Sequence, residues 1–514
     1  MPRPRERCFV FVCFFILYAI TASGDLIGDT EIRWAVAKRV VDTGTVDLTP
    51  GTTRLCAYGS DGKPYSFYGP AQSACLVPFV LAGRWLAAVL PGSLSTDLLG
   101  QFLASIAFFP ACGALGVTLV YSVTLNMTKQ RRAARWVAIV LGNATMHWHH
   151  TVNTYEESQI TVCVLGALWA IQRSLNSERF RFRVLALAAV GLAFSFRVSS
   201  IMTCAPLVSV VVIAELVQSG SAAARIRSLS RWLLAGILGF GPFLVLVGTY
   251  NAVRFGSAFD TGYASAHLNQ LGGIALFETP LPSGLAGMLL SPGKSVFLFC
   301  PVLLAAFVGF RVLWRHHRTL TVAILAALTS TVLFHSKYTF WAGDLAWGPR
   351  YLASGMGIWV LGMIPAVSRP RFSGGFVAVL SLSVCVQLAS IVYSFGLEFY
   401  QDRRHGTIPD GYVWRPVESQ LFCRFRNIAL HALGRPDYNS IPPKKENPNT
   451  HQVSTTPESV RRLHAINIFP FKARALTGDN LLSAVLLAVW LTGIVLLVFV
   501  IHWWRGSIRR STTS

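Results

Sequence analysis

Acidic side chains are scarce in this sequence. Asp and Glu number 23 in 514 residues, against 45 Lys and Arg, and charged residues of both signs make up 13% of the chain. About a quarter of the residues of an ordinary soluble domain are charged, so such a domain is excluded. With 53% hydrophobic residues and a mean hydropathy of +0.49, the composition is that of a polytopic membrane protein. Paired cysteine spacing is also missing. The ten cysteines lie mostly inside apolar runs, which excludes a zinc module and makes them small core residues. Only Cys56 and Cys75, both in the first external region, are placed to form a disulfide. The stretch Ser291-Pro292-Gly293-Lys294-Ser295 lacks the first glycine of a phosphate loop, Met288 standing in its place, so nucleotide binding is excluded. No repeat relates the two halves of the chain, as one does in many transporters.

The basic residues fall in short clusters between apolar runs. The formal charge of +22 therefore follows the positive-inside rule and does not indicate a nucleic-acid partner. A spanning helix needs about 20 mainly apolar residues. Arg3, Arg5 and Arg7 place the N-terminus inside, and the run 8–22 is read as an uncleaved first span. The apolar stretch 71–90, interrupted by Pro78, Gly83 and Arg84, is read as interfacial or re-entrant. Further spans are then expected at 97–124, 136–147, 160–171, 184–196, 201–217, 232–250, 296–310, 319–334, 352–365, 376–395 and 481–500, with nearly every basic cluster cytoplasmic.

The expected fold is thus an all-α polytopic membrane protein of about twelve transmembrane helices, with surface helices in the first external loop and both termini cytoplasmic in a multi-pass inner or plasma membrane. Three parts are expected: a transmembrane module at 1–396 with its external loop at 24–97, an external polar region at 397–479, and a last helix with a basic tail at 480–514.

Against this background the few acids stand out. Asp25, Asp29 and Glu31 lie within seven residues directly after the first apolar run. An ionised Asp at bilayer depth costs about 2.5 to 3.5 kcal/mol on insertion scales. Ile32, Ala35, Val36 and Val40 then recur at helical spacing up to Gly44, so Asp29 also suits the N-cap of a surface helix. Glu156 and Glu157 form a second acidic turn on the same expected side. Two such turns suit a site in which one carboxylate removes a proton from an attacking hydroxyl and another positions it or a divalent cation. Whether a metal takes part is left open.

Arg197 lies between two apolar segments with no acid near it in sequence, and its planar fork suits a phosphate. The loop 335–351 joins Lys337, Trp341, Asp344 and Trp347 to Arg350, and the loop 61–70 interleaves Tyr65 and Tyr68 with turn residues. Aromatic planes of this kind stack on sugar rings or anchor at the membrane interface. His147, His149 and His150 match no metal-binding pattern.

Taken together, the acidic turn after the first span, the loop 61–70, the turn 155–158, Ser291-Pro292-Gly293-Lys294 and Trp347-Gly348-Pro349-Arg350-Tyr351 resemble bacterial GT-C glycosyltransferases, in particular the phospholipid-carrier-dependent enzymes related to protein O-mannosyltransferases. The resemblance runs through about residue 395. It implies a GT-C-like fold and an inverting transfer of sugar from a polyprenyl-phosphate donor to a hydroxyl of a glycan, lipid or protein, on the external face. By the same resemblance Asp29 is the base, with Asp25 and Glu31 as neighbours that could take the role. Glu157 or Glu156 is the second acid, and Arg197, Arg350 and Lys294 meet the lipid phosphate. The alternative class is a multi-pass transporter or lipid flippase of envelope glycan precursors, whose charges belong near the bilayer midplane.

Overall fold

The protein is represented by a computed structural model that describes residues 4–51, 56–89, 95–177, 179–263, 275–343, 346–394, 396–401, 410–438, 457–477 and 480–512. In a hydrocarbon solvent every backbone polar group needs an internal partner, so apolar runs close their hydrogen bonds within helices. Accordingly, the sole sheet among the described residues is an antiparallel pair, Ala57–Tyr58 (β1) with Pro64–Tyr65 (β2), Ala57 facing Tyr65 and Tyr58 facing Pro64.

Among the described residues, seven helices are long and apolar enough to cross a membrane, or eight if the pair Ala222–Gly239 and Gly241–Phe255, bent by 42°, counts as one span. The expected number was about twelve. Most of the difference lies in helices that are short or broken; Glu157–Ser177, with 21 residues, is long enough but not among the seven. Pro4–Ile20 (α1) has 17 residues, Phe180–Phe196 has 17 and Arg131–Ala144 has 14. The run 296–310 is interrupted at Pro301, which gives Val296–Phe299 and Leu304–His316 as separate pieces.

The helix Asp29–Thr43 (α2) starts after Gly28, which is its N-cap, so Asp29 is the first helical residue and leaves the capping position to the glycine. Gly44 ends the helix at φ 71°, its N–H bonded to the Val40 carbonyl. The apolar stretch after the hairpin forms Pro70–Val89 (α3). Tyr68, just before α3, donates to Asp29 at the start of α2, and near the other ends Arg84 pairs with Asp42. Lys38 of α2 also reaches Asp97, 2.6 Å away, at the start of the long helix Thr96–Thr128, and that helix accepts the Gly24 N–H at Ser105, 3.1 Å away. Both ends of α3 therefore stay on the Asp29 end of the bundle, although its length and composition would let it cross. Cys56 and Cys75 form no disulfide; Cys56 packs with Ile32, Val36 and Leu48 instead.

The opposite end of α1 carries Glu6, buried beneath Arg135 (2.6 Å), Arg131 (3.4 Å) and the Tyr121 hydroxyl (2.9 Å). The last helix, Asn480–Thr512, runs antiparallel to α1: its Trp490 indole donates to the Ile20 carbonyl at 2.7 Å. The start of α1 at Pro4 and the end of the last helix at Thr512 consequently lie away from Asp29. Helices approach closely where side chains vanish. A Cβ on Gly309 would lie 1.6 Å from the Gly362 carbonyl oxygen, so Leu304–His316 packs directly on the backbone at Val360–Met363.

The segment after residue 397 folds back onto the site end. Arg424, completely buried, donates to the carbonyls of Ala389, Ser390, Tyr393 and Ser394 and pairs with Glu398, thereby closing the C-terminal carbonyls of Gly374–Val392. Asn467 bonds to Asn153 (2.9 Å) and its N–H to Val392, the Phe469 N–H reaches the Ala22 carbonyl (2.9 Å), and Lys472 pairs with Asp25 (2.6 Å).

Candidate active site

The two acidic turns meet. The Thr30 hydroxyl donates to the Thr154 carbonyl at 2.7 Å, and the Ile27 N–H reaches the Thr154 hydroxyl at 3.4 Å. Thr154 has φ 61°, a left-handed conformation that costs a β-branched residue about 1 to 3 kcal/mol. The bonds to Thr30 and Ile27 hold it there, and the tight turn presents Glu156 and Glu157 toward α2.

Six charges converge on this junction. Asp29 accepts from Arg350 at 2.8 Å and from the Tyr68 hydroxyl. Glu156 lies between Arg33 and Arg197 and bonds to both, while Arg197 also donates to Glu157 at 2.7 Å. Three guanidinium groups face three carboxylates, so the network is neutral by formal count. Aromatic rings wall it: Arg33 lies 4.1 Å over Tyr68, Arg197 lies 5.5 Å over Tyr351, and Arg350 lies 5.2 Å from Tyr351 and 5.9 Å from Tyr155. The His335 ring stacks on Tyr351 at 4.9 Å.

Exposure divides the network. The side chains of Arg33, Glu156 and Glu157 are 1 to 3% exposed, whereas Asp29, Arg197 and Arg350 keep 16, 11 and 10%. An incoming molecule therefore meets one carboxylate and two guanidinium groups. Burial opposes ionisation of Asp29, but the charges of Arg350 and Arg33, with the hydrogen bonds from Tyr68 and Arg350, outweigh it and hold its pKa at about 2. Burial, aided by the Asp29 charge, pushes the Tyr68 hydroxyl well above its ordinary value and keeps it a donor.

The other candidates lie elsewhere. Asp25 pairs with Lys472, and Glu31, its carboxyl pushed up by burial and by the Asp25 charge, sits near that pair outside the network. Tyr65 donates to Asp61 at 2.8 Å and packs on Phe255. Trp347 is completely buried among His149, Phe299 and Arg424, where no sugar reaches it. Trp341 packs on Gly287 and Trp414, and Lys337 is exposed at the end of Arg318–Lys337. Asp344 lies outside the described residues.

Lys294 is fully buried, its ammonium donating to the carbonyls of Ala346 (2.7 Å) and Gly348 (3.3 Å). It thus braces the loop that leads into Arg350. Lys294→Met, which keeps the volume, should lower stability by about 1 to 3 kcal/mol, since the buried carbonyls of Ala346 and Gly348 lose their donor. It should lower kcat/KM by about 100-fold, the cost of a misplacement near 1 Å at the reacting centre. Melting curves and initial rates on the same preparation check both.

Sequence reasoning did not single out Tyr155, Tyr351 or His335 as parts of the site. Tyr155 and Tyr351 each adjoin a residue that it did select, Glu156 and Arg350, and that adjacency was the available signal. Among the described residues no group of three or more His, Cys, Asp or Glu side chains converges as a metal site. The carboxylates of the network are held by guanidinium groups, which a divalent cation would have to displace.

No family model and no curated protein matches the chain. Several solved structures do. ArnT from Cupriavidus metallidurans bound to undecaprenyl phosphate is 15% identical, the match covering 83% of this chain and 71% of that one with a TM-score of 0.47. ArnT from Cupriavidus metallidurans in the apo state is 12% identical over 79% of this chain and 66% of that one, with a TM-score of 0.49. The Archaeoglobus fulgidus oligosaccharyltransferase in complex with Zn and sulfate is 13% identical over 74% of this chain and 51% of that one, with a TM-score of 0.45. The chain thus spans about half of the oligosaccharyltransferase.

Proposed function

We propose that the chain is a GT-C-type membrane glycosyltransferase that moves a sugar from a polyprenyl-phosphate donor to an acceptor hydroxyl on the extracytoplasmic face. The observation that carries this reading is the accessible pair Asp29–Arg350, with Arg197 beside it, at one end of an apolar helical bundle. A base and two phosphate-sized cation forks at a membrane boundary suit a lipid phosphate whose headgroup carries the reacting carbon. The carboxylates of Glu156 and Glu157 keep Arg197 in place and are too buried to reach an acceptor.

In the reaction Asp29 takes the proton of the acceptor hydroxyl as its oxygen attacks the anomeric carbon. The bond from that carbon to the phosphate oxygen breaks, and its electron pair leaves with the phosphate. Arg350 and Arg197 stabilise the charge that develops there. Attack opposite the leaving group inverts the anomeric centre. When Arg350 turns to the donor phosphate it withdraws from Asp29, so donor binding itself makes the carboxylate more basic.

That exchange has a pH signature. In the free protein Arg350 holds Asp29 near pKa 2, and kcat/KM reports free-enzyme groups. Asp29 should therefore impose no loss of kcat/KM between neutral pH and about pH 4, the ordinary Asp value. Removing the cation in Arg350→Gln should move the acidic limb of the residual rate upward, because burial is then opposed only by the Arg33 charge and the Tyr68 hydrogen bond. A pH profile of both proteins checks the sign.

The function itself is tested by incubating purified protein with a panel of short-chain polyprenyl-phosphate sugars and measuring sugar release or transfer. Turnover identifies the donor. Saturable binding of an undecorated lipid or a solute, without turnover on any donor, would favour a transporter.

A further inference from the structure

The helices Leu304–His316 and Arg318–Lys337 form a hairpin that turns at the end away from Asp29, and its outer face carries two adjoining cavities that together run from Arg315 to Phe334, next to the site's His335. They share Trp314 and Leu325 and so form one groove, about 710 Å³ toward Phe334 and about 490 Å³ toward Arg311 and Arg315. Pro206 closes one side, and the floor is apolar apart from Thr329 and Ser330.

We propose that this groove binds one anionic phospholipid of the leaflet opposite the Asp29 site, with its chains along Trp314 and Leu325 and its phosphate between Arg311 and Arg315. The length fits. Lining residues run from Val322 to Phe334, about 18 Å of helix, close to the hydrocarbon depth of one leaflet, about 15 Å. A phospholipid chain fills that length.

The charge fits as well. Arg311 and Arg315 are four residues apart, on one helix face with their stems in the groove. Asp344 is the sole acid in the sequence between Glu278 and Glu398, and among the described residues no carboxylate pairs with either arginine. Arg318 adds a third cation at the same end, 5.7 Å over the Trp314 ring. The Arg311 and Arg315 side chains are both exposed, and a lipid phosphodiester lies at the right depth to meet them.

Trp314 is the reporter. The full chain is placed in phosphatidylcholine nanodiscs and titrated with phosphatidylglycerol or phosphatidylcholine carrying brominated chains, and the signal of Trp314→Phe is subtracted. Brominated phosphatidylglycerol should quench with about 30-fold higher affinity than brominated phosphatidylcholine, each arginine contributing about five-fold. Arg311→Gln/Arg315→Gln should reduce that preference to the roughly five-fold or less that Arg318 supplies, and Arg311→Lys/Arg315→Lys should retain most of it, which separates charge from misfolding. Equal quenching by the two lipids, or a preference that the double Gln variant leaves undiminished, would overturn the proposal. So would displacement of the brominated lipid by a short-chain polyprenyl phosphate but not by unlabelled phosphatidylglycerol, which would assign the groove to the donor.

Discussion

Asp29→Asn should lower kcat by about 1,000-fold, within the usual contribution of a general base, while folding and membrane abundance stay near wild type. The variant is a narrow one. Asn keeps a side-chain oxygen that can accept from Arg350 and Tyr68, so the walls of the site persist and only the proton acceptor goes. Donor affinity should hold or rise, because Arg350 is no longer tied to a carboxylate of full charge. The check is a pair of measurements on one preparation: the initial rate with the donor identified by the panel, and the Kd for an undecorated polyprenyl phosphate. Retained turnover would move the base elsewhere, and lost binding would make Asp29 structural.

Glu156→Ala should have the largest effect on stability, about 3 to 5 kcal/mol, the cost of breaking a buried ion pair by removing one partner. Glu156 is 2% exposed and accepts from both Arg33 and Arg197. Its loss leaves Arg33 over Tyr68 with no carboxylate bonded to it, and leaves Arg197 to Glu157 alone. A thermal melt in detergent, compared with Glu156→Gln, checks this prediction. Gln keeps an acceptor for one guanidinium and should fall between Ala and wild type.

The all-helical membrane fold was legible in the sequence because hydropathy and the scarcity of acids are summed over hundreds of residues. The crossings were less so. Pro301 and the bend near Phe240 divide apolar runs that look continuous in composition, since a run of apolar residues does not report how its backbone closes hydrogen bonds. Asp29, Glu156, Glu157, Arg197 and Arg350 could be picked out because charges at apolar boundaries are costly and hence rare. Their pairing could not. Arg350 meets Asp29 across 321 positions of chain, a contact that only tertiary packing creates. Lys294 and Trp347 looked like ligand-binding residues because cations and indoles serve both recognition and bracing, and only burial distinguishes the two uses.

The bonds from Asn467, Phe469 and Lys472 to Asn153, Ala22 and Asp25 tie a late segment of the chain to the first acidic turn. For a protein made from its N-terminus and inserted as it emerges, this fixes an order of events. Asp25 and Lys472 are 447 positions apart, so this contact forms only once the intervening helices have been made. Until then the first acidic turn rests on the bonds of Gly24, Ile27 and Thr30 to Ser105 and Thr154.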